Sequence, residues 1–283
     1  MSEAGKVTSG AFLYIVQFGL INTNGIVIGN GLPAEGASTG LQQYKGALSA
    51  GGTVPEPNRL NVVGASGNIK HTYQRASDEN PTVDFTTVIY DMTIRAMFTG
   101  TKVQQVGDTW ISVAGTDQDG LEPQVCIIAS QKAIQEPEGT EIWQHEVWPL
   151  AKLTGGPFQM QSGQNAEYAY NGIANQAAKT PWGVALSVVN NGVTKAASFT
   201  INSVYALSLD TYVCDAGSPE EFTLQHKPAG DESTNKVMLF DTTTGSPISP
   251  SDVDVETKVV QFPTDTAGKL VVAYYEVAAG ELP

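Results

Sequence analysis

Short apolar runs alternate with turn residues along most of the chain. The sharpest period-two pattern lies at residues 88–98, where Val88, Tyr90, Met92, Ile94, Ala96 and Phe98 share one face and Asp91, Thr93 and Arg95 the other. That alternation predicts a half-buried strand. Residues 83–87 lead into it, and residues 109–113 follow Gly107-Asp108, a turn dipeptide whose glycine tolerates positive φ. Residues 124–133 are almost continuously apolar and rich in β-branched side chains. They predict a buried strand, with a short helix as the competing choice. Further runs recur at 199–206, 221–226, 236–240, 253–262 and 269–277, punctuated by Pro219, Gly230, Gly245, Pro247, Pro250 and Gly268. The 29 glycines and 15 prolines exceed the usual share of about 12% and favour many short strands over long helices. The predicted fold class is all-β with minor helix. A β-sandwich domain is expected over residues 1–200, and a second β-module of Ig-like size over residues 201–283.

Residues 24–57 break the pattern. The segment is glycine-rich, carries three prolines and has little sustained periodicity, which predicts a long loop with room for a short hairpin or helix near residues 41–48. Loops beyond about 12–15 residues are uncommon in a domain and are usually functional or disordered. This one keeps Leu32, Leu41, Tyr44, Leu48 and Val54, too much apolar surface for a freely solvated linker. These five side chains are the candidates for contact with a neighbouring subunit.

Composition narrows the function. The 283 residues hold 41% hydrophobic side chains and a formal charge of −14. The first figure can fill a core. The second argues against nucleic-acid binding, which needs Lys and Arg to replace phosphate counterions, and against docking on an anionic membrane. The excess is uneven: residues 201–283 carry thirteen acidic and four basic side chains, against sixteen and eleven in residues 1–200. The first ten residues are polar, unlike a secretory signal. The apolar stretch from residue 11 to 28 is interrupted by Gln17, Asn22, Thr23 and Asn24, too short and too polar to span a bilayer. Cys126 and Cys214 sit in apolar surroundings, where a free thiol behaves as a small hydrophobe, although a bridge between them stays open. The chain is expected to be made in the cytoplasm, with no membrane partner.

Each catalytic or ligand motif the chain suggests is incomplete. Gly29-Asn30-Gly31-Leu32-Pro33-Ala34 fits G-x-G-x-x-A, but Glu35, Gly36 and Gly40 follow where a phosphate-binding helix must open. His145-Glu146 starts an H-E-x-x-H, yet Pro149 stands at the second ligand position. His71 and His226 have no partner at ligand spacing. Asp117-Gln118-Asp119-Gly120 lacks the remaining ligands of a calcium loop. Asp252, Asp254 and Glu256 alternate as on an exposed strand edge. Ser66 misses the nucleophile elbow, and Gly268-Lys269-Leu270 lacks the P-loop hydroxyl. Trp143, Trp148 and Trp182 suit either a core or a sugar-binding platform. No catalytic residue, cofactor or metal is expected.

Two stretches resemble the major tail (tail tube) proteins of long-tailed bacteriophages. Residues 158–186, FQMQSGQNAEYAYNGIANQAAKTPWGVAL, look like a late sandwich strand of a tube protein, followed by the Ile173-Ala174-Asn175 turn and Pro181-Trp182-Gly183. Residues 236–276, with their closing AGKLVVAYY, are similar to the small β-modules appended to phage tail and capsid proteins. The resemblance implies a tail-tube-like sandwich with an Ig-like C-terminal domain. It also implies a virion location, hexameric rings stacked into a tube, a long loop reaching the next ring, and other tail proteins as partners. DNA would pass during ejection without specific binding. An acidic wall suits that task, because every fixed Lys–phosphate contact adds affinity through counterion release. Closing a sheet around a ring also removes exposed edges. The alternatives are another virion component, such as a capsid decoration or tail terminator protein, and a carbohydrate-binding β-sandwich.

Overall fold

A computed structural model describes residues 13–44, 47–53, 58–63, 69–75, 81–87, 92–100, 102–113, 123–135, 139–155, 168–189, 192–215, 219–263 and 267–282. The fold is all-β with minor helix. Its first half contains β1 (Leu13–Leu20), β2 (Ala37–Gly40), β3 (Gln42–Tyr44), β4 (Ala47–Thr53), β5 (Asn58–Val63), β6 (Ile69–Arg75), β7 (Thr82–Thr87), α1 (Met92–Thr99), β8 (Lys102–Val106) and β9 (Thr109–Val113). Then follow β10 (Val125–Gln135), β11 (Thr140–Gly155), β12 (Tyr168–Ala174), α2 (Leu186–Val189) and β13 (Phe199–Ser203). The remainder holds β14 (Ala206–Val213), β15 (Glu220–Thr223), β16 (Met238–Asp241), β17 (Pro247–Ile248), β18 (Asp252–Asp254), β19 (Val259–Phe262) and β20 (Leu270–Val277).

The largest sheet runs β3-β1-β10-β11-β12-β7-β4, with β13 also paired to β11. It curls until β4 lies against β1. Its inner face carries Val16, Phe18, Ile127, Ala129, Trp148, Val83, Phe85 and Tyr170, with Met97 and Phe98 of α1 packed among them. Phe98 is the hub: its ring centroid lies 4.7 Å from Phe18, 5.4 Å from Phe85 and 5.2 Å from Tyr170. Such tilted and edge-on contacts add to the simple burial of apolar area. Pro149 sits where the β10–β11 register slips, since Val125 pairs with Ala151 but Ile127 with Trp148. A bulge is where a strand accommodates proline.

The second sheet, β17-β16-β20-β14-β2, lies between the first sheet and a small third one, β15-β19-β18. One side of β14 and β20 faces the small sheet: Tyr212, Val271, Ala273 and Tyr275 pack with Phe222, Val260 and Phe262. The other side faces the large sheet: Leu207, Leu209 and Val272 pack with Cys126, Ile128, Val147, Leu41 and Trp182. Every residue of β14 is therefore buried. The chain leaves the large sheet at Ser203 and enters the second at Ala206. The second sheet takes its edge strand, β2, from far upstream.

The structure departs from the sequence reading in three places. Residues 92–99 form helix α1 rather than continuing a strand, and residues 88–91 lie outside the described set. The neighbours Met97 and Phe98 are both buried, which a strand lying on one face cannot achieve. Gly100, at φ 68°, ends the helix by donating its N–H to Ala96 O at 2.9 Å, the αL cap that glycine adopts without strain. The 24–57 segment is not a loop throughout: it supplies β2, β3 and β4. The 253–262 run is likewise not one strand: it divides into β18 and β19, with Lys258 at φ 64° in the turn between them. The other expected runs each contain a strand. Gly107-Asp108 closes the two-residue β8–β9 hairpin, with positive φ at its first position alone, the type II′ pattern.

Replacing Phe98 with alanine should cost roughly 3–5 kcal/mol, the range for a buried aromatic side chain, measured as a lowered urea midpoint. Gly172→Ala should also destabilise strongly, because a Cβ there would lie 1.9 Å from the carbonyl oxygen of Lys152. Wild-type midpoints for both variants would contradict the packing described.

Candidate functional site

The five apolar candidates of the 24–57 segment separate by environment. Leu41 has 0% exposure and packs in the middle layer between the large and second sheets. It holds this chain together and has no surface to offer a neighbour, so the expectation that it contacts another subunit is corrected. Leu32 is 64% exposed and sits on the rim of a groove of about 510 Å³ that also carries Asn22, Asn24, Lys179 and Lys269. Tyr44 ends β3 and Leu48 lies in β4. Val54 lies outside the described residues, as do Ser66, the 117–122 stretch and residues 158–167.

Sequence reading missed the clearest exposed apolar feature. The β8–β9 hairpin pairs with no other strand among the described residues. Val106 and Ile111 are exposed on it, and Trp110 is 56% exposed. Trp110 and Ile111 are adjacent in β9, so they point to opposite faces, and both are exposed. A signal was available: a tryptophan in a short strand beside a tight turn, within a stretch lacking an apolar partner run. The β5–β6 hairpin is likewise a separate two-stranded ribbon.

The remaining tryptophans do not share a surface. Trp148 and Trp182 are buried, the first in the core of the large sheet and the second in the middle layer. Trp143 packs, partly buried, against the core shared by the second and small sheets, with the Lys132 ammonium 5.6 Å from its ring centroid. Three separate environments make no sugar platform.

The polar candidates are structural in their surroundings. His145 is fully buried, with Ser130 Oγ 2.8 Å from Nδ1 and Ser203 Oγ 2.8 Å from Nε2. Burial pushes its pKa down to about 4, against an upward pull from the backbone of Tyr205. The serine–imidazole contacts are sealed between strands, so no substrate reaches them. Cys126 and Cys214 are both free and buried, and burial raises the Cys126 thiol far above its ordinary range, which makes it inert. Asp254 caps a turn through the N–H groups of Glu256 and Thr257, and β18 is an edge strand. Asp231 gathers the hydroxyl and N–H groups of Ser233 and Thr234, which hold its carboxyl down at about 2. After Gly29-Asn30-Gly31 comes β2 and not a helix. Among the described residues, no group of three or more His, Cys, Asp or Glu is placed to hold a metal ion. No helix among them is long and apolar enough to cross a membrane.

No protein-family model matches the chain, and no curated protein matches it either.

Two outcomes test this layout. Leu41→Ala should cost about 2–5 kcal/mol, whereas Leu32→Ala should stay within about 0.5 kcal/mol; equal urea midpoints would contradict it. The second concerns His145, whose folded pKa lies below its ordinary value. Its contribution is complete above about pH 6.5 and is lost as pH falls through 4, by up to roughly 3 kcal/mol. Unfolding at a series of pH values should show that loss as a stability advantage of the wild-type chain over His145→Asn that shrinks toward acid, and an advantage independent of pH would contradict it.

Proposed function

We propose that the chain is a structural subunit that assembles with copies of itself into the wall of a phage tail tube, with no catalytic step. The observation that carries this reading is the β8–β9 ribbon. A two-stranded hairpin unpaired with any other strand is marginal on its own, and this one presents Val106, Trp110 and Ile111 to solvent. Tryptophan at the centre of a contact is a frequent source of binding energy. A second copy of the chain would supply the missing cover. The all-β scaffold supports the reading, as does the resemblance of residues 158–186 and 236–276 to tail proteins. The charge of −14 fits a conduit to which DNA does not adhere.

The same charge sets the conditions of assembly. Copies repel one another, so apolar contacts must outweigh the repulsion, and added salt screens it over about 10 Å at 0.1 M. The buried tryptophans leave the carbohydrate-binding alternative without its platform. Sedimentation of the purified chain should show large assemblies that grow with salt, and Trp110→Ser should remain monomeric with an unchanged urea midpoint. A wild-type chain that stays monomeric at every concentration and ionic strength would overturn the proposal. So would a Trp110→Ser chain that assembles as wild type does.

A further inference from the structure

The inner face of the large sheet changes character along β10 and β11. Ile127 stands opposite Trp148 in the aromatic core, Ala129 opposite Glu146 in the next inward row, and Gln131 opposite Gln144 in the row after that. β13 extends the middle row with Thr200, beside Glu146. The curl of the sheet brings β4 across from these side chains, and there Ala50, Gly51 and Gly52 close a pocket of about 270 Å³. The mouth of a curled sheet is a common place for a ligand.

The two glycines of β4 are there for different reasons. A Cβ at Gly52 would lie 2.6 Å from Thr82 O and 2.8 Å from Trp148 Nε1, so the packing of this chain demands glycine. A Cβ at Gly51 would meet nothing within 4 Å, and its φ lies outside the left-handed region. Neither packing nor backbone conformation calls for glycine at 51. Glycine inside a strand weakens it and often marks a place where a ligand approaches the backbone closely. The polar side chains around the same space have capacity left over. Gln131 Nε2–H donates to Gln144 Oε1 at 2.8 Å, which leaves Gln131 Oε1 and the Gln144 amide N–H groups without partners among the described residues. Thr200 Oγ1–H donates to Glu146 Oε2 at 2.7 Å, leaving Glu146 Oε1 open. The Trp148 indole N–H likewise has no acceptor among the described residues. Two donor groups and two acceptor oxygens thus line one small pocket, beside the apolar surface of Ala50 and Ala129.

We propose that this pocket binds one neutral sugar unit, a polyhydroxylated ring of monosaccharide size. A hydroxyl donates and accepts at once, so neighbouring hydroxyls on a ring can use a mixed set of donors and acceptors. Bare backbone at Gly51 offers the C–H face of the ring a flat surface. Other ligand classes fit less well. An anion would be repelled by Glu146 and would find no cation among the described residues lining the pocket. An apolar ligand would cut the polar groups off from water without replacing their hydrogen bonds. An indole from a second copy brings one N–H and no acceptor, so it would serve one of the two oxygens and neither donor. A pocket closed around a single ring also differs from the exposed platform that Trp143, Trp148 and Trp182 fail to make. The inference is independent of self-assembly, since a wall subunit can carry such a pocket in every copy.

Isothermal titration calorimetry of the full chain at low salt tests the site, with D-glucose, D-galactose, D-mannose and N-acetyl-D-glucosamine as probes. At least one of the four should bind with a Kd of about 1 mM or tighter, the range for a ligand of this size. Gly51→Leu fills the pocket from a position with free space and should abolish binding while the urea midpoint stays near that of the wild type. Glu146→Gln keeps the shape but removes the charged acceptor, and should weaken binding about tenfold. Failure of all four sugars to bind overturns the proposal, as does wild-type affinity in Gly51→Leu. If Gly51→Leu does not fold, Glu146→Gln decides in its place, and unchanged affinity there overturns the proposal. A peptide of residues 102–113 that binds where the sugars do not, and loses binding in Gly51→Leu, would give the pocket to the Trp110 ribbon of a second copy and overturn it as well.

Discussion

Burial of β14 on both of its faces is the constraint on which the rest of the structure depends. Tyr212 and its neighbours at even positions complete the small sandwich with Phe222, Val260 and Phe262. Leu207 and Leu209 close the layer against Cys126, Ile128 and Val147 of the large sheet. A strand with no solvent face cannot tolerate a register slip, since a shift of one residue would exchange the two sets of side chains. The second sheet is therefore an inner layer, packed against the large sheet on one side and the small sheet on the other. β2, arriving from upstream, reinforces this by taking the edge of β14.

That inner position explains where the polar exceptions fall. His145 and Asp210 are both buried, and loss of solvent disfavours the charged form of each, lowering the pKa of the first and raising that of the second. They respond to pH in opposite senses. Acid charges His145 and weakens the stack, whereas acid neutralises Asp210, whose charge burial disfavours. The fold carries two titrating groups with opposed slopes over overlapping ranges, which flattens the net dependence while leaving each local region sensitive.

Much of the scaffold was legible in the sequence because its central strands are driven by local hydrophobicity. β10 and β20 are apolar runs and the β8–β9 turn is set by Gly107, whereas β14, with Ser208, Asp210 and Thr211 among its eight residues, lies beyond the runs the sequence shows. The failures have physical causes. β2 and β3 read ASTG and QQY, with no apolar alternation, and become strands only because the edges of β14 and β1 are there to pair with them. That is tertiary context overriding weak local preference. The 88–98 alternation was equally compatible with its second half turning helical, and a Gly100 cap with an aromatic pocket around Phe98 decided it. Leu41 and Leu32 look alike in sequence and differ completely in burial, because one faces the middle layer and the other a groove rim. Asp210 did carry a signal, a lone carboxylate inside ALSLDTYV, whereas nothing local marked the burial of His145.

The net charge of −14 and the exposed Trp110 are the two features on which the proposed self-assembly rests. Electron micrographs of the purified full chain at high concentration and moderate salt test that claim most directly. The account predicts rings stacked into open hollow tubes. Dispersed single particles with no ordered assembly would contradict it, and closed single rings or trimers would point instead to a terminating or decorating role.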